Sequence, residues 1–203
     1  MAEKYTSPEE TLTEIKQLME RSSRFISLSG MSGVMAGIYA LAGAGAAYYW
    51  TQGRISTADV YDREHATFLL ADAALVLILA VGTGILLTTR KAKRDGSSLL
   101  DSAAKKLIIN LCIPLFTGGV FCLGLIYHGN PSFVIPSMLT FYGLALVHAS
   151  KYTRDDVRSL GVAQILLGLT ALFLVEYGLI FWSLGFGVLH IAYGTYMYLK
   201  YER

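Results

Sequence analysis

Apolar residues dominate six long stretches of this chain, and charged residues gather where those stretches begin and end. A helix needs ~20 residues to cross a hydrocarbon core about 30 Å thick. The stretches meet that length and fall at residues 25–50, 66–89, 104–127, 132–149, 158–176 and 178–199. Residues 75–81 are apolar throughout, unlike the alternating strands of a membrane barrel. The pattern predicts an all-α fold, a polytopic integral membrane bundle of six transmembrane helices that forms a single domain over residues 23–203.

The composition supports a membrane protein, and the charges predict its orientation. Hydrophobic residues make up 54% of the chain and charged residues 16%, whereas soluble domains have ~45–50% and ~25%. If the N-terminus is cytoplasmic, all of the 17 Lys and Arg residues except Arg54 and Arg63 lie on the cytoplasmic side. Because short connections rich in Lys and Arg stay in the cytoplasm, we expect an N-in/C-in protein in a lipid bilayer.

The segment before the first span, residues 1–22, has the pattern of a short amphipathic helix. The run Ser7-Pro8-Glu9-Glu10 provides a helix start, and apolar residues at 12, 15, 18 and 19 share one face. We expect this cytoplasmic helix to lie on the membrane or the bundle, or to dock a cytoplasmic protein partner. Its polar face carries acidic as well as basic residues, so nucleic acid is not an expected ligand.

Small residues form two stripes at helical spacing. One lies in the first span at Ser29, Gly33 and Gly37, and the other lies in the sixth span around Gly187 and Gly194. Small side chains let helix backbones approach closely, which is a main source of helix association in lipid. We therefore expect the two stripes to pack on each other, or on a second copy in a homo-oligomer.

His190 lies between Gly187 and Gly194 on one face of the sixth span. It follows the outer end of that helix by ~12 residues, which is about 18 Å and close to the membrane midplane. We expect its ring to point into the bundle. Two interpretations stay open: a neutral His hydrogen-bonded across helices, or a group that transfers a proton or contacts a ligand.

Asp72 is the only acidic residue deep in a predicted span, ~9 Å below the outer boundary. It should face protein or water, either as a buried hydrogen-bonding group or as a proton or cation site. A third alternative is an outer metal site with His65, His128 or Glu176. Their spacing matches no strong metal motif, so we assign no metal and no cofactor.

The third span carries Pro114, Gly118 and Gly119 near its middle. Proline removes a backbone donor, so this segment predicts a kink or local unwinding, of the kind that transporters use in midplane substrate sites. Asn110, nearer the cytoplasmic end, could contact a neighbouring helix. Six spans also permit two inverted halves of three helices each.

A catalytic site is not predicted. The run Gly30-Met31-Ser32-Gly33 fits the GxSG pattern of rhomboid-type intramembrane serine proteases, with His190 as a candidate base. That family places its Ser on a later helix, and the matching His and Asn groups are not found here. The metalloprotease motif HExxH, the P-loop and GxGxxG are absent from the sequence.

Three stretches, residues 27–41, 141–153 and 181–194, resemble a group of six-span inner-membrane proteins from Bacteroidetes-type bacteria. The resemblance covers about half of the chain. It implies a bacterial inner (cytoplasmic) membrane location and a multi-pass topology, and it implies no activity and no site residue.

Two classes of function compete. The first is a non-catalytic membrane scaffold, sensor or regulatory protein that assembles through its Gly-rich helix faces. The alternative is a small-solute or ion transporter or channel with a midplane cavity near Pro114–Gly119 and His190; an intramembrane enzyme is a third. Ionisable residues are sparse within the spans, which favours the first class, since coupled transporters commonly need more intramembrane charge.

Overall fold

The computed structural model describes residues 24–25, 27–51, 63–96 and 102–203. The predicted helix over residues 1–22 lies outside them. We number the helices in chain order as α1 Gly30–Trp50, α2 Arg63–Arg94, α3 Ser102–Tyr127, α4 Val134–Ala149, α5 Asp156–Phe173, α6 Gly178–Trp182 and α7 His190–Tyr201. Short 3₁₀ turns precede α4 and follow it, at Pro131–Phe133 and Ser150–Tyr152, and another lies at Val175–Tyr177; a π-helical segment, Ser183–Leu189, joins α6 to α7.

Six helical stretches of the described chain are long and apolar enough to cross a membrane. They are Gly30–Trp50, Thr67–Arg94, Ser102–Tyr127, Pro131–Tyr152, Asp156–Phe173 and Val175–Tyr201, the last of which we call the last span. The prediction of an all-α bundle with six membrane spans is therefore confirmed. The predicted boundaries differ most at the second span, which continues five residues further into its basic end because a helix does not stop where its apolar pattern stops.

The spans are arranged around four well-connected members. α1 packs on α2 and on the last span, and the last span also contacts α4 and α5. α4 packs on α5 and on α3, while α2 and α3 have α1 and α4, respectively, as their main neighbours. If the first, second and third spans are exchanged with the fourth, fifth and sixth, the same spans remain packed together. This is the neighbour pattern expected of a three-plus-three division.

The two predicted glycine stripes face each other within one chain. A Cβ atom on Gly194 would lie 2.5 Å from the backbone nitrogen of Val34, and one on Gly30 would lie 2.6 Å from the carbonyl oxygen of Gly194. Gly37 approaches the carbonyl of Gly187 equally closely, with 2.6 Å to its added Cβ. Such contacts leave no room for a side chain, so α1 and the last span meet backbone to backbone. Ser29, at the start of this seam, is also buried.

A second close seam joins α4 to α5. Gly143 and Gly161 face each other, and a Cβ on either would come within 2.6–2.8 Å of the other's carbonyl oxygen. Further along, Gly168 lies against the backbone of Pro136. These glycines occur singly in ordinary apolar spans, and their role is visible only when the two helices are brought together.

The sequence predicts a kink or local unwinding at Pro114. α3 runs as one helix from Ser102 to Tyr127, so the segment is not unwound, and the kink stays a prediction. The hydroxyl of Thr117 donates to the carbonyl of Ile113 at 2.9 Å, and Gly118 packs closely on Phe141 of α4. Gly119 has no atom within 4 Å of its added Cβ, so it lies on an open face. Pro114 leaves the carbonyl of Asn110, four residues earlier, without its helical donor, and the helix continues past it. The irregular backbone lies instead in the last span.

The ends of several helices are joined at the end of the bundle that carries most of the described Lys and Arg residues, which we call the basic end. Lys91 of α2 pairs with Glu202 at 3.0 Å and donates to the carbonyl of Leu28 at 2.9 Å. Glu202 also accepts a hydrogen bond from the backbone N–H of Gly30, the first residue of α1. The carboxylate thus satisfies a free donor at a helix N-terminus, where negative charge is favourable.

Candidate functional site

The π-helical segment of the last span presents a backbone carbonyl to the interior. The carbonyl of Gly185 accepts a hydrogen bond from the Gln164 amide at 2.8 Å and another from Nδ1 of His190 at 2.9 Å. A side chain at position 185 would collide with Leu139 and come within 2.8 Å of the amide oxygen of Gln164. Glycine at this position therefore keeps the carbonyl accessible to both donors. π-Helical turns within α-helices occur frequently at functional sites.

His190 is held by both of its ring nitrogens. Nδ1 faces a carbonyl, which can only accept, so Nδ1 carries the hydrogen. Nε2 lies 2.7 Å from the hydroxyl of Tyr142 on α4 and accepts its hydrogen. The imidazole is buried, at 7% exposed surface. For a neutral imidazole the arrangement fixes one tautomer, with the hydrogen on Nδ1, and it places the ring at the contact of the last span, α4 and α5.

Aromatic rings line one side of this imidazole. The centroid of Tyr142 lies 5.3 Å from that of His190, and the centroid of Phe186 lies 6.0 Å away. Trp182 packs on Phe186 at 4.7 Å, one turn earlier in the same span. The ring faces are apolar but carry a negative quadrupole, so they tolerate both a neutral imidazole and a cation.

Two polar atoms beside this centre are buried and have no hydrogen-bond partner among the described residues. They are the amide oxygen Oε1 of Gln164 and the hydroxyl of Tyr193. Gln164 is fully buried, and its amide nitrogen is committed to the Gly185 carbonyl, so Oε1 cannot exchange places with it. Leaving a buried polar group unpaired costs about 1–3 kcal/mol, which makes these two atoms the least satisfied groups of the core.

Polar residues connect this centre to the basic end. Asp156 and Gln164 lie eight residues apart on one face of α5, which is about 12 Å along the helix. Tyr193 packs, together with Tyr142, against the hydrophobic cluster of Leu146, Val157 and Leu160, and two members of that cluster lie between Asp156 and Gln164 in α5. We call this set the polar seam; its members are Tyr142, Asp156, Gln164, His190 and Tyr193.

At the basic end of the seam Asp156 is well paired. Its carboxylate accepts a hydrogen bond from the Tyr201 hydroxyl at 2.7 Å and one from the ammonium of Lys200 at 3.1 Å. The Tyr201 ring in turn lies under the guanidinium of Arg154, 3.5 Å from the ring centroid. The seam therefore begins at a charged, partly exposed cluster and ends at the buried imidazole.

Asp72 lies apart from the seam. It is half-buried on α2, and the added Cβ of Gly43 on α1 would lie 3.1 and 3.3 Å from its two carboxylate oxygens. The carboxylate thus faces α1, and within the described part of the chain it makes no hydrogen bond or ion pair. The side chain of His65, its predicted neighbour, lies outside the described residues.

The other predicted polar residues do not converge on one site. Asn110 donates to the carbonyl of Lys106 on its own helix at 2.8 Å, and Glu176 is exposed in a 3₁₀ turn. His128 is exposed and meets the ring of Tyr127 edge-on at 5.2 Å. Over the described ranges, no group of His, Cys, Asp and Glu side chains is arranged to hold a metal ion.

The rhomboid-like pair is not formed. Ser32 donates its hydroxyl hydrogen to the carbonyl of Ser29 on its own helix. Both nitrogens of His190 are engaged, by Tyr142 and by Gly185. A nucleophile needs a base within hydrogen-bonding reach, and the imidazole here has no nitrogen directed at Ser32.

Sequence reasoning singled out His190 but not the residues that hold it, Tyr142, Gln164 and Tyr193. Gln164 offers a signal: it is the one amide in an otherwise apolar span, and an amide in hydrocarbon needs partners. Tyr142 and Tyr193 offer none, because tyrosines are also common at membrane boundaries.

Comparison with models of protein families, with curated proteins and with solved structures finds no match for this chain.

Proposed function

We propose that this protein is a non-catalytic regulatory scaffold of a bacterial cytoplasmic membrane, with its basic end in the cytoplasm. The observation that carries the proposal is a contrast between two parts of the basic end. One part is held by ion pairs within the chain, and the other concentrates five cations that have no partner among the described residues. The remaining exposed cations, Lys151, Arg158 and Arg203, lie outside both parts. The first part fixes the helices, and the second is a surface for an acidic partner.

In the first part, each cation has an intramolecular partner. Arg24 pairs with Asp155 at 3.0 Å, Lys91 with Glu202 at 3.0 Å and Lys200 with Asp156 at 3.1 Å. The backbone N–H of Phe25 donates to the carbonyl of Tyr152 at 2.8 Å, and the hydroxyl of Thr153 donates back to the carbonyl of Phe25 at 2.6 Å. These contacts join the segment before α1 to the connection between α4 and α5.

The second part lies where α2 ends and α3 begins. Ala92 of α2 and Ala103 and Ala104 of α3 are buried in one hydrophobic cluster with Phe25 and Ala149. Five exposed basic residues flank these alanines along the chain, and we call them the hairpin cations; they are Arg90, Lys93, Arg94, Lys105 and Lys106. Asp95 is the only acidic residue between Arg90 and Lys106 in the described part of the chain, and Glu202 is already paired with Lys91. Since no described side chain neutralises them, an acidic segment of a cytoplasmic protein would complement this surface.

The closed interior also favours a scaffold over a transporter. His190 contacts Tyr142, whereas Gly118 contacts the adjacent Phe141, which points about 100° away around α4. The helix α4 therefore stands between the two features that a midplane cavity was expected to join. Close backbone contacts fill the seam between α1 and the last span and the seam between α4 and α5.

The test is a comparison of three forms of the protein, purified in nanodiscs from the bacterium that makes it. One is the wild type, one has all hairpin cations changed to Gln, and the matched control has Gln at Lys151, Arg158 and Arg203, which are exposed at the same end. Quantitative mass spectrometry should find an acidic protein that the wild type and the control retain and the hairpin variant loses. Equal recovery from all three forms would contradict the proposal.

Transport is the second candidate, favoured by the unpartnered Gln164 and Tyr193 atoms beside a π-helical segment. Flux of small neutral solutes into proteoliposomes tests it. A flux that falls at least tenfold with His190→Gln, and not with the exposed control His128→Gln, would favour a transporter over a scaffold.

A further inference from the structure

We propose that the polar seam is a proton-binding site. His190 takes up a proton from the basic end by way of the Tyr193 hydroxyl, and the resulting shift of the last span alters the contacts at that end. The inference goes beyond the scaffold function and does not depend on the hairpin cations. It rests on the hydrogen-bond geometry of the imidazole, on the unpartnered hydroxyl and on the course of the last span.

The first step is fixed by the donors and acceptors around the ring. In the neutral form Tyr142 donates to Nε2, and Nδ1–H donates to the carbonyl of Gly185. A proton can add only at Nε2, which then becomes a donor and needs the Tyr142 oxygen as its acceptor. The hydroxyl hydrogen of Tyr142 must therefore point away from the ring toward another acceptor, while the bond to Gly185 is kept.

The second step identifies that acceptor. Tyr142 and Tyr193 pack on the same cluster of Leu146, Val157 and Leu160, and the Tyr193 hydroxyl is buried and unpartnered. Uptake therefore runs through one bridging water: the Tyr193 hydroxyl gives a proton to the water, the water gives one to the Tyr142 oxygen, and Tyr142 gives its own hydrogen to Nε2, while Tyr193 regains a proton from the side of Asp156. That hydrophobic cluster contains Val157, which directly follows Asp156 in α5. The carboxylate of Asp156 in turn reaches the partly exposed cluster with Lys200 and Tyr201.

The groups packed around the ring include no described counter-ion, so a proton can bind to His190 reversibly. α4 presents Tyr142, α5 presents the uncharged Gln164 through Gly185, and α1 presents the backbone at Gly33. The last span itself contributes Phe186. None of these described groups is charged, so the imidazolium would be stabilised by the faces of Tyr142 and Phe186 and by the Gly185 carbonyl. The imidazolium loses its proton again when the pH rises.

The third step links the site to the basic end. His190 is the first residue of α7, and the same helix carries Tyr196, Lys200 and Tyr201, the partners of Asp156. Glu202 follows directly and caps α1. A small shift of α7 on protonation therefore acts on two clusters that hold the basic end together.

Trp182 provides the readout, because it packs on Phe186, which contacts the imidazole. The chain has two Trp residues, and Trp50→Phe leaves Trp182 as the only indole. In nanodiscs its fluorescence should fall as the pH decreases, since an imidazolium quenches a nearby indole. His190→Gln should abolish this change. A pH response that persists unchanged in His190→Gln would overturn the proposal.

The route is tested by stopped-flow pH jumps on Tyr193→Phe, with Tyr198→Phe as the control that removes an exposed hydroxyl of the same helix. We expect the fluorescence change to become at least tenfold slower in Tyr193→Phe and to keep its rate in the control. Proteoliposomes test the side of entry, with a tag after Arg203 reporting orientation by protease removal. Jumps on the basic-end side should give the fast response. Equal rates from both sides, or an unchanged rate in Tyr193→Phe, would refute the route.

A readout without substitutions guards against variants that do not fold. Nitrogen-15 spectra of the wild type labelled at its four His residues should contain one that changes from a fixed Nδ1–H tautomer to the imidazolium as the pH is lowered. Absence of any such transition down to the pH at which the protein unfolds would also refute the proposal.

Discussion

The glycines of the α1–last-span seam lie against the backbone of a facing helix, whereas those of α2 face open space. At Gly30 and Gly194 an added Cβ would enter the backbone of the facing helix, whereas at Gly82 and Gly84 it would meet nothing within 4 Å. Only 6% of the most apolar window of the second span is buried, against 33% for the first. A small residue in a membrane helix therefore indicates close packing only where a second backbone is present to use the space.

The same contrast separates an inner group of spans from two outer ones. α1, α4, α5 and the last span form the inner group, held by the two glycine seams and the polar seam. α2 and α3 lie outside it, and much of their apolar surface is exposed. Lipid can cover such a surface without cost, so an outer span needs only a few fixed contacts to hold its position.

The largest effect is expected from Gly194→Leu. Its side chain cannot avoid the backbone of Val34 by changing rotamer, so α1 and α7 must separate, and we expect a loss of about 3 kcal/mol or more in the free energy of unfolding. Gly82→Leu is the control, with a change within about 0.5 kcal/mol. Unfolding by SDS titration in detergent micelles measures both. A similar loss in the two variants would remove the distinction between inner and outer spans.

The next effect concerns the attachment of α2 to the inner group at the basic end. The side chains of Lys91 and Glu202 are only 12% and 15% exposed, and Lys91 also donates to Leu28. Lys91→Met removes charge-assisted hydrogen bonds and leaves Glu202 with Gly30 as its remaining partner, so we expect a loss of about 2 kcal/mol.

Hydrogen exchange distinguishes where that loss falls. Amides near the end of α2 should exchange faster in Lys91→Met, whereas those of the α4–α5 seam should keep their rates. Lys93→Met is the control, because Lys93 lies two residues further along the same helix and is exposed. Uniform acceleration over all helices would mean that α2 is part of the inner group after all.

A smaller effect is expected inside the inner group from His190→Leu. The substitution leaves the Tyr142 hydroxyl buried without its partner, at a cost of about 1–2 kcal/mol. Tyr142→Phe removes that unpaired hydroxyl, so the double variant should be more stable than the sum of the two single losses predicts. Strictly additive losses in the SDS unfolding cycle would mean that the two side chains are not coupled.

The sequence is sufficient to predict what each helix does alone and insufficient for what depends on its neighbours. The six spans follow from length and hydropathy, and His190 is noticeable because an ionisable group is rare at that depth. The role of Gly143 requires knowing that Gly161 faces it. Pro114 removes a donor in any fold, but whether the helix opens depends on how the helices around it pack, such as Phe141 of α4 against Gly118. Gln164 binds a carbonyl of another span.

The smallest effect is expected at the surface of the basic end, where Arg24 and Asp155 form an ion pair with side chains 40% and 83% exposed. Water and salt screen such a pair, so Arg24→Ala should cost no more than about 0.5–1 kcal/mol at low salt. The coupling energy from a double-variant cycle with Asp155→Ala should decrease further in 0.5 M salt. The Lys91–Glu202 pair, with its buried side chains, should keep most of its coupling under the same conditions. Equal salt sensitivity of the two pairs would mean that the contact joining α2 to the inner spans is as accessible to water as the surface, and that α2 is held by lipid and by α1 alone.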